Sequence, residues 1–404
     1  MVMGKFLCFL FFCPLFASQL QVPVNAKAAL VMNADNGRVL FEKKGYDLAF
    51  PASTTKVATA LFALEKCGDR LDDIVEVKNY TLARMNQNMK EARGYRIPPY
   101  WLQPDGTSIR LQRGEKISLE DLLYGLMLHS GNDAANAIAD HVSGSVLNFM
   151  KELNLYLKEI GCHHTSFANP HGLHFPSHKT TPHDLAKMAS VALQNPTFRK
   201  IVLSDCYFCQ ATNKSEEREL VQKNELLKEG RFHYEGALGI KTGVHSKAGY
   251  CLVAAAEREG RTIVAVLLGC NDQKARYRDA CALFDAAFAE KKVVRKLYNA
   301  DENLFSKELK GQTIKAQLKE DVALSYFPSE EPEVATSVKW KTGALPIFSG
   351  NRVGELLIKN ERNEVMECHD LIAVSDYVAP QNHLIWCLIF LPAPLIMLLW
   401  RRLK

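Results

Sequence analysis

The chain has 404 residues, 47% hydrophobic and 24% charged, the composition of a folded globular protein long enough for two ordinary domains. A formal net charge of +5 over that length is slight, and with no basic run or face it excludes a nucleic-acid footprint. No repeat or low-complexity tract points to a solenoid or a disordered tail.

In chain order, Lys5 is followed by the apolar run FLCFLFFCPLFA and then Ser18. A charged start, an apolar middle and a small-residue exit predict a secretory signal over residues 1–18, cleaved near Ala17 or Ser18, with a retained anchor as the alternative. Residues 28–44, AALVMNADNGRVLFEKK, read as two strands around the turn Asp35-Asn36-Gly37. After Pro51, STTKVATALFALEK has helical apolar spacing. The polar stretch 87–111, rich in Pro, Arg and Tyr, is expected to rim a cleft or to contact another protein. It leads into SLEDLLYGLMLHSGNDAANAIADHVSG, two apolar helices broken at Ser130-Gly131-Asn132, the first opened by the capping box Ser118-Leu119-Glu120-Asp121.

Near Gly239 the pattern changes. GYCLVAAAERE and GRTIVAVLLGC read as adjacent strands and RDACALFDAAFAEKK as a closing helix, which places the main body at residues 19–293. Short alternating strands then follow in QTIKAQL, DVALSYF, SVKWKTG, RVGELLIKN and EVMECHDLIAV, so residues 294–380 are expected to form a small all-β domain acting as a spacer. Residues 384–400, LIWCLIFLPAPLIMLLW, carry no charge and are closed by Arg401, Arg402 and Lys404. They predict a membrane anchor, spanning or lying deep in the interface, with residues 401–404 as a basic cytoplasmic tail. The body would then be exported, tethered to the cytoplasmic membrane by its C-terminus and exposed on the periplasmic or extracytoplasmic side. Eight of the eleven cysteines fall in that body. An oxidising compartment permits disulfides, and the close pair Cys206/Cys209 reads as buried thiols or a local bridge.

Three short elements carry the chemistry. Ser53 and Lys56, three apart at a helix start, lie on one helix face, so the Lys56 amine can reach the Ser53 hydroxyl. A serine hydroxyl needs a neighbour to take its proton, and burial near other cations at a helix N-terminus would lower a lysine pKa enough for that task. Ser130 and Asn132 stand at the helix break, where a second hydroxyl could pass a proton and an amide could hold a substrate amide. Lys241-Thr242-Gly243, on an expected edge strand, would supply a cation, a hydroxyl and room for a substrate backbone to lie alongside. Backbone N–H groups of Ser53 and Val244 could form an oxyanion hole. The ordinary readings of single elements are a helix cap, a C-terminal cap and coincidence; the triplet recurs at Lys341-Thr342-Gly343 with no serine partner.

SxxK, SxN and KTG in this order resemble the set shared by penicillin-binding proteins and serine β-lactamases. FPASTTKVATAL, LLYGLMLHSGNDAANAIAD, FANPHGLHFPSHKTTPHDLAKMA, KNELLKEGRFHYEGALGIKTG and AGYCLVAAAEREGRTIVAVLLG make the resemblance specific to D-alanyl-D-alanine carboxypeptidases of low molecular mass. It implies a mixed α/β (α+β) β-lactamase/transpeptidase-like catalytic domain, followed by the small β domain and the anchor. It implies Ser53 as acylated nucleophile, Lys56 as its base, Ser130 as proton shuttle, and Asn132, Lys241, Thr242, Gly243, Val244 and Arg276 as substrate-binding residues. Peptidoglycan stem peptides and β-lactam antibiotics are the implied ligands, with no cofactor and no metal, and the oligomeric state is left open. His245 departs from the threonine usual at that place.

Two enzymic alternatives and one non-catalytic one compete. A class A-like β-lactamase needs a glutamate some thirty residues past SxN, where this chain reads TSFANPHGLHF without an acid. A metal enzyme is suggested by His163, His164, His171, His174, His178 and His183, which lack any spaced zinc motif. A membrane-tethered peptidoglycan-binding protein would tolerate the loss of Ser53 or Lys56, and both are present.

Overall fold

The computed structural model describes residues 19–341, 343 and 345–378. The signal expected over 1–18 and the anchor expected over 384–400 lie outside the described residues. Among the described residues no helix is long and apolar enough to cross a membrane. The chain divides into two units: residues up to Lys291 together with Pro328–Glu330, and Lys292–Phe327 together with the residues from Glu331 onward.

In the first unit, β1 (Ala28–Asn33) and β2 (Val39–Lys43) form an antiparallel hairpin closed at its turn by Gly37 N–H to Asn33 O at 2.8 Å. Small ladders pair β3 (Ile74–Glu76) with β4 (Lys116–Ser118) and β5 (Cys206–Cys209) with β6 (Arg218–Val221). Strands β7 (Ala237–His245), β8 (Gly249–Arg258) and β9 (Arg261–Cys270) then complete a five-stranded antiparallel sheet in the order β2-β1-β9-β8-β7. The strand bearing Lys241-Thr242-Gly243 is therefore an edge, with one side free to receive a peptide.

The helices are α1 (Lys56–Cys67), α2 (Gln87–Ala92), α3 (Leu119–Met127), α4 (Asn132–Ser143), α5 (Val146–Glu159), α6 (Pro182–Leu193), α7 (Pro196–Leu203) and α8 (Gln273–Ala289). Their starts follow the expected chemistry. Ser118 Oγ accepts from Asp121 N–H and donates to the Asp121 carboxylate, and Asp272 caps α8 by accepting from the N–H groups of Lys274 and Ala275.

Period-2 alternation makes the sheet two-faced. Leu252, Ala254, Ala256, Ile263, Ala265 and Leu267 pack with α8, whereas Val253, Ala255, Val264, Val266 and Leu268 enter a larger core built with α1 and the other helices. Helix α1 runs through that larger core, with only Glu65 and Lys66 exposed on it. A helix apolar on nearly every side is an interior helix, so a lysine in its first turn is carried inside.

The second unit holds β10 (Val293–Tyr298) paired with β13 (Val322–Tyr326), and a five-stranded antiparallel sheet of β11 (Leu304–Leu309), β12 (Gln312–Leu318), β16 (Val365–Ala373), β15 (Arg352–Lys359) and β14 (Ala335–Trp340), in that order. Alternation in β12 turns Ile314, Ala316 and Leu318 into a core with Val353, Leu356, Ile358 and Leu371. Lys341, of the second KTG triplet, follows β14 and pairs with Glu355.

Candidate active site

The turn carrying Ser53 is a short 3₁₀ segment, Ala52–Thr55, entered through Pro51. Ala52 has φ +49°, a left-handed conformation that a residue with a Cβ keeps only when its surroundings enforce it. Thr55 Oγ1 donates to Ala52 O at 2.8 Å, and Thr54 Oγ1 donates to Pro51 O at 2.8 Å. His178 stands behind Thr55. Its Nδ1 accepts from Ala168 N–H at 3.0 Å, so Nε2 carries the proton and donates to Thr55 Oγ1 at 2.8 Å. Burial pushes the His178 pKa down to about 3, which keeps this scaffold neutral. Gly172, at φ +88°, presses on the same turn: a Cβ there would lie 1.9 Å from Ala52 O. From the sheet side, Gly243 approaches so closely that a Cβ would lie 2.9 Å from Ser53 N.

Lys56 is fully buried. Its Nζ lies 3.1 Å from Ser53 Oγ, 2.7 Å from Asn132 Oδ1 and 2.7 Å from His171 O. Burial, reinforced by the Lys241 charge and opposed by Asp133, holds its pKa well below the ordinary lysine value. A neutral amine has two N–H donors and one lone pair. The two shorter contacts take the donors, leaving the lone pair for the Ser53 proton. Asn132 is brought there as the first residue of α4, two residues after Ser130, whose φ of +65° sets a sharp reversal between α3 and α4.

Lys241 is buried on the edge strand, its pKa pushed down to about 7 by burial and then by Lys223 and Arg276. Thr242 is half-buried, and Val244 is exposed. Arg276, in the first turn of α8, lies beneath this strand. Its guanidinium donates to Gly243 O at 3.3 Å and Cys251 O at 3.4 Å and packs over the rings of Tyr277 and Tyr250. It braces the strand backbone and adds positive potential at Lys241. A serine beside a buried amine whose pKa is lowered by burial, facing an edge strand that carries Lys241, is equipped for acyl transfer from a peptide with a free carboxylate end.

The D-alanyl-D-alanine carboxypeptidase family model, peptidase S11, matches residues 16–272. The chain belongs to the D-alanyl-D-alanine carboxypeptidase family. It is a serine-type carboxypeptidase of peptidoglycan metabolism, and nothing favours a β-lactamase or a binding protein without activity. Among relatives of this family, it is 29% identical over 351 residues to the D-alanyl-D-alanine carboxypeptidase DacF of Bacillus subtilis, covering 85% of this chain and 83% of the relative. It is 32% identical over 277 residues to the D-alanyl-D-alanine carboxypeptidase of Streptomyces sp. K15, covering 66% and 88%. The fold is shared with the D-alanyl-D-alanine carboxypeptidase DacD of Francisella tularensis, at TM-score 0.61 and 21% identity over 91% of this chain and 97% of that one.

Three features escape motif reading, and the 87–111 stretch shows how its expected rim is built. His171 contributes a backbone carbonyl to Lys56, while its ring bridges Tyr100 O at 3.1 Å and Leu173 N–H at 3.1 Å. Asp133 lies within electrostatic reach of Lys56, and its side chain accepts from Ser108 Oγ, Ile109 N–H and Leu111 N–H. Lys223, whose Nζ donates to His129 O at 3.0 Å, adds a second cation near Lys56 and Lys241. The stretch 87–111 rims this site: Tyr100 O also accepts from Asn136 Nδ2 at 3.0 Å. The only sequence signals were an acid beside SxN and a lysine in KNELL. The local bridge allowed for Cys206 and Cys209 is not formed. Residues three apart on β5 face opposite sides, Cys206 is exposed and Cys209 buried, and the eight described cysteines are free.

Replacing Gly172 by alanine is expected to lower the unfolding free energy in urea by at least about 2 kcal/mol and to slow penicillin labelling, because the Ala52–Ser53 turn must move to admit the Cβ. A variant as stable and as reactive as the parent contradicts this account of the turn.

Proposed function

We propose that Ser53 is the acylated residue of this carboxypeptidase and Lys56 its base. The observation that carries the reading is the Lys56 amine 3.1 Å from Ser53 Oγ, with its other two contacts made to Asn132 and the His171 carbonyl. In the proposed sequence, Ser53 Oγ attacks the carbonyl carbon between the last two D-alanines of a stem peptide as its proton passes to Lys56. The oxyanion meets the backbone N–H groups of Ser53 and Val244. The C–N bond breaks, and D-alanine leaves with a proton delivered from Lys56 through Ser130. Water then hydrolyses the acyl-enzyme, and Ser53 regains its proton. Asn132 holds the substrate amide, Thr242 and Lys241 receive the terminal carboxylate, and Gly243 lets the peptide lie against β7. Arg276 acts from beneath, through the strand it braces.

Penicillins enter the same path and acylate Ser53. We also read the chain as exported and tethered by residues 384–400, on the strength of the uncharged run and the basic residues that close it.

Incubating the enzyme with a pentapeptide muropeptide is expected to release one alanine per stem by mass, and Ser53→Ala to abolish both that release and covalent penicillin labelling. Full labelling of the alanine variant contradicts the assignment.

The pH dependence has two limbs. The neutral Lys56 amine is the acting form, so kcat/KM rises with pH through a value well below 10.5. Lys241 serves as a cation and loses its proton above about 7, so kcat/KM falls again on the alkaline side. Lys241→Arg, permanently charged, should flatten the alkaline limb alone; persistence of that limb in the arginine variant rules out Lys241 as its source.

A further inference from the structure

Ser130 is a non-glycine residue held at φ +65°, and nothing within its own turn enforces that conformation. The turn is fastened by three hydrogen bonds. Gly131 N–H donates to Gly125 O at 2.9 Å, at the end of α3. The other two bonds come from one residue of the 87–111 stretch. Thr107 O accepts from Asn132 N–H at 2.9 Å, and Thr107 Oγ1 donates to Ser130 O at 2.6 Å. Thr107 thus brackets the reversal on both sides, with its backbone on Asn132 and its side chain on Ser130.

The rest of this wall stands without the threonine hydroxyl. Ser108 Oγ, Ile109 N–H and Leu111 N–H all donate to the Asp133 carboxylate, at 2.6, 3.1 and 2.9 Å. Thr107 itself is exposed, so its hydroxyl is not needed to fill the core. An exposed hydroxyl that donates a short bond to the carbonyl of a left-handed residue has one evident effect: it fixes that peptide plane, and with it the direction of the Ser130 Cα–Cβ bond.

We propose that Thr107 is a positioning residue for Ser130, its hydroxyl holding the left-handed turn that aims the Ser130 side chain into the proton path. The proposal rests on the reading of Ser130 as the shuttle between Lys56 and the leaving amine. Thr107 does not touch the reacting atoms. Its contribution is to spare Ser130 a search among turn conformations in each cycle.

The test compares Thr107→Val, which keeps the shape and removes the hydroxyl, with Thr107→Ser, which keeps the hydroxyl, in wild-type and Ser130→Ala backgrounds. Acylation by a fluorescent penicillin and kcat and KM for alanine release are measured with thermal unfolding of each variant. Thr107→Val should acylate about tenfold more slowly, with kcat lowered rather than KM raised. Thr107→Ser should stay within about twofold of the parent. In the Ser130→Ala background, Thr107→Val should cost nothing further, because the residue through which it acts is gone. Should the valine variant lose its unfolding transition, Thr107→Ala against Thr107→Ser makes the same comparison. The proposal is overturned if valine leaves acylation unchanged while Ser130→Ala slows it, if losses multiply in the double variant, or if serine is as impaired as valine. A Ser130→Ala enzyme at full speed instead removes the shuttle reading, and the proposal with it.

Discussion

One buried amine sets the terms for everything around it. An ammonium taken fully out of water costs several kcal/mol unless compensated, and Lys56 sits in the first turn of a helix that runs through the core, with cations at Lys241 and Lys223 nearby. The Asp133 carboxylate, which favours the charged form, is already occupied by the 108–111 wall and is outweighed by burial and by the charges of Lys241 and Lys223. Burial lowers the Lys56 pKa, and the fold supplies its amine with two acceptors, Asn132 Oδ1 and the His171 carbonyl, while Ser53 Oγ lies 3.1 Å away.

Holding that geometry takes contributions from four separated parts of the sequence. Helix α1 brings Lys56, the start of α4 brings Asn132, the loop before α6 brings the His171 carbonyl, and the edge of the sheet presses Gly243 against the serine turn. Arg276 braces that edge from below, and the neutral His178–Thr55–Ala52 relay braces the turn from behind. Neutrality matters there: a charged imidazole at His178 would add another cation close to Lys56, and burial prevents it.

The sequence was most legible where chemistry is local. The Asp35–Gly37 turn, the Ser118 capping box, the i, i+3 relation of Ser53 to Lys56 and the alternation in β8 and β9 each follow from neighbours a few residues apart. The edge position of β7 was legible through what KTG must do. What could not be read were partnerships between distant residues. Nothing near His171 announces that its carbonyl serves Lys56, and nothing in the 87–111 stretch announces that Asp133 and Asn136 fasten it to the site. Arg276 is expected at a substrate carboxylate, and nothing around it in the sequence announces that its guanidinium also donates to the Gly243 and Cys251 carbonyls. The thiols at Cys206 and Cys209 remain apart because a strand sends residues three apart to opposite faces.

The central claim is that Lys56 is neutral in the resting enzyme and shares the Ser53 proton. The most direct measurement is a side-chain NMR titration of isotopically labelled lysine, with the Lys56 signal assigned by its absence in Lys56→Met. The account predicts a Lys56 midpoint well below 10.5, with the amine already neutral where acylation is fastest. A Lys56 signal that titrates with the surface lysines, and stays protonated through the active pH range, would contradict it.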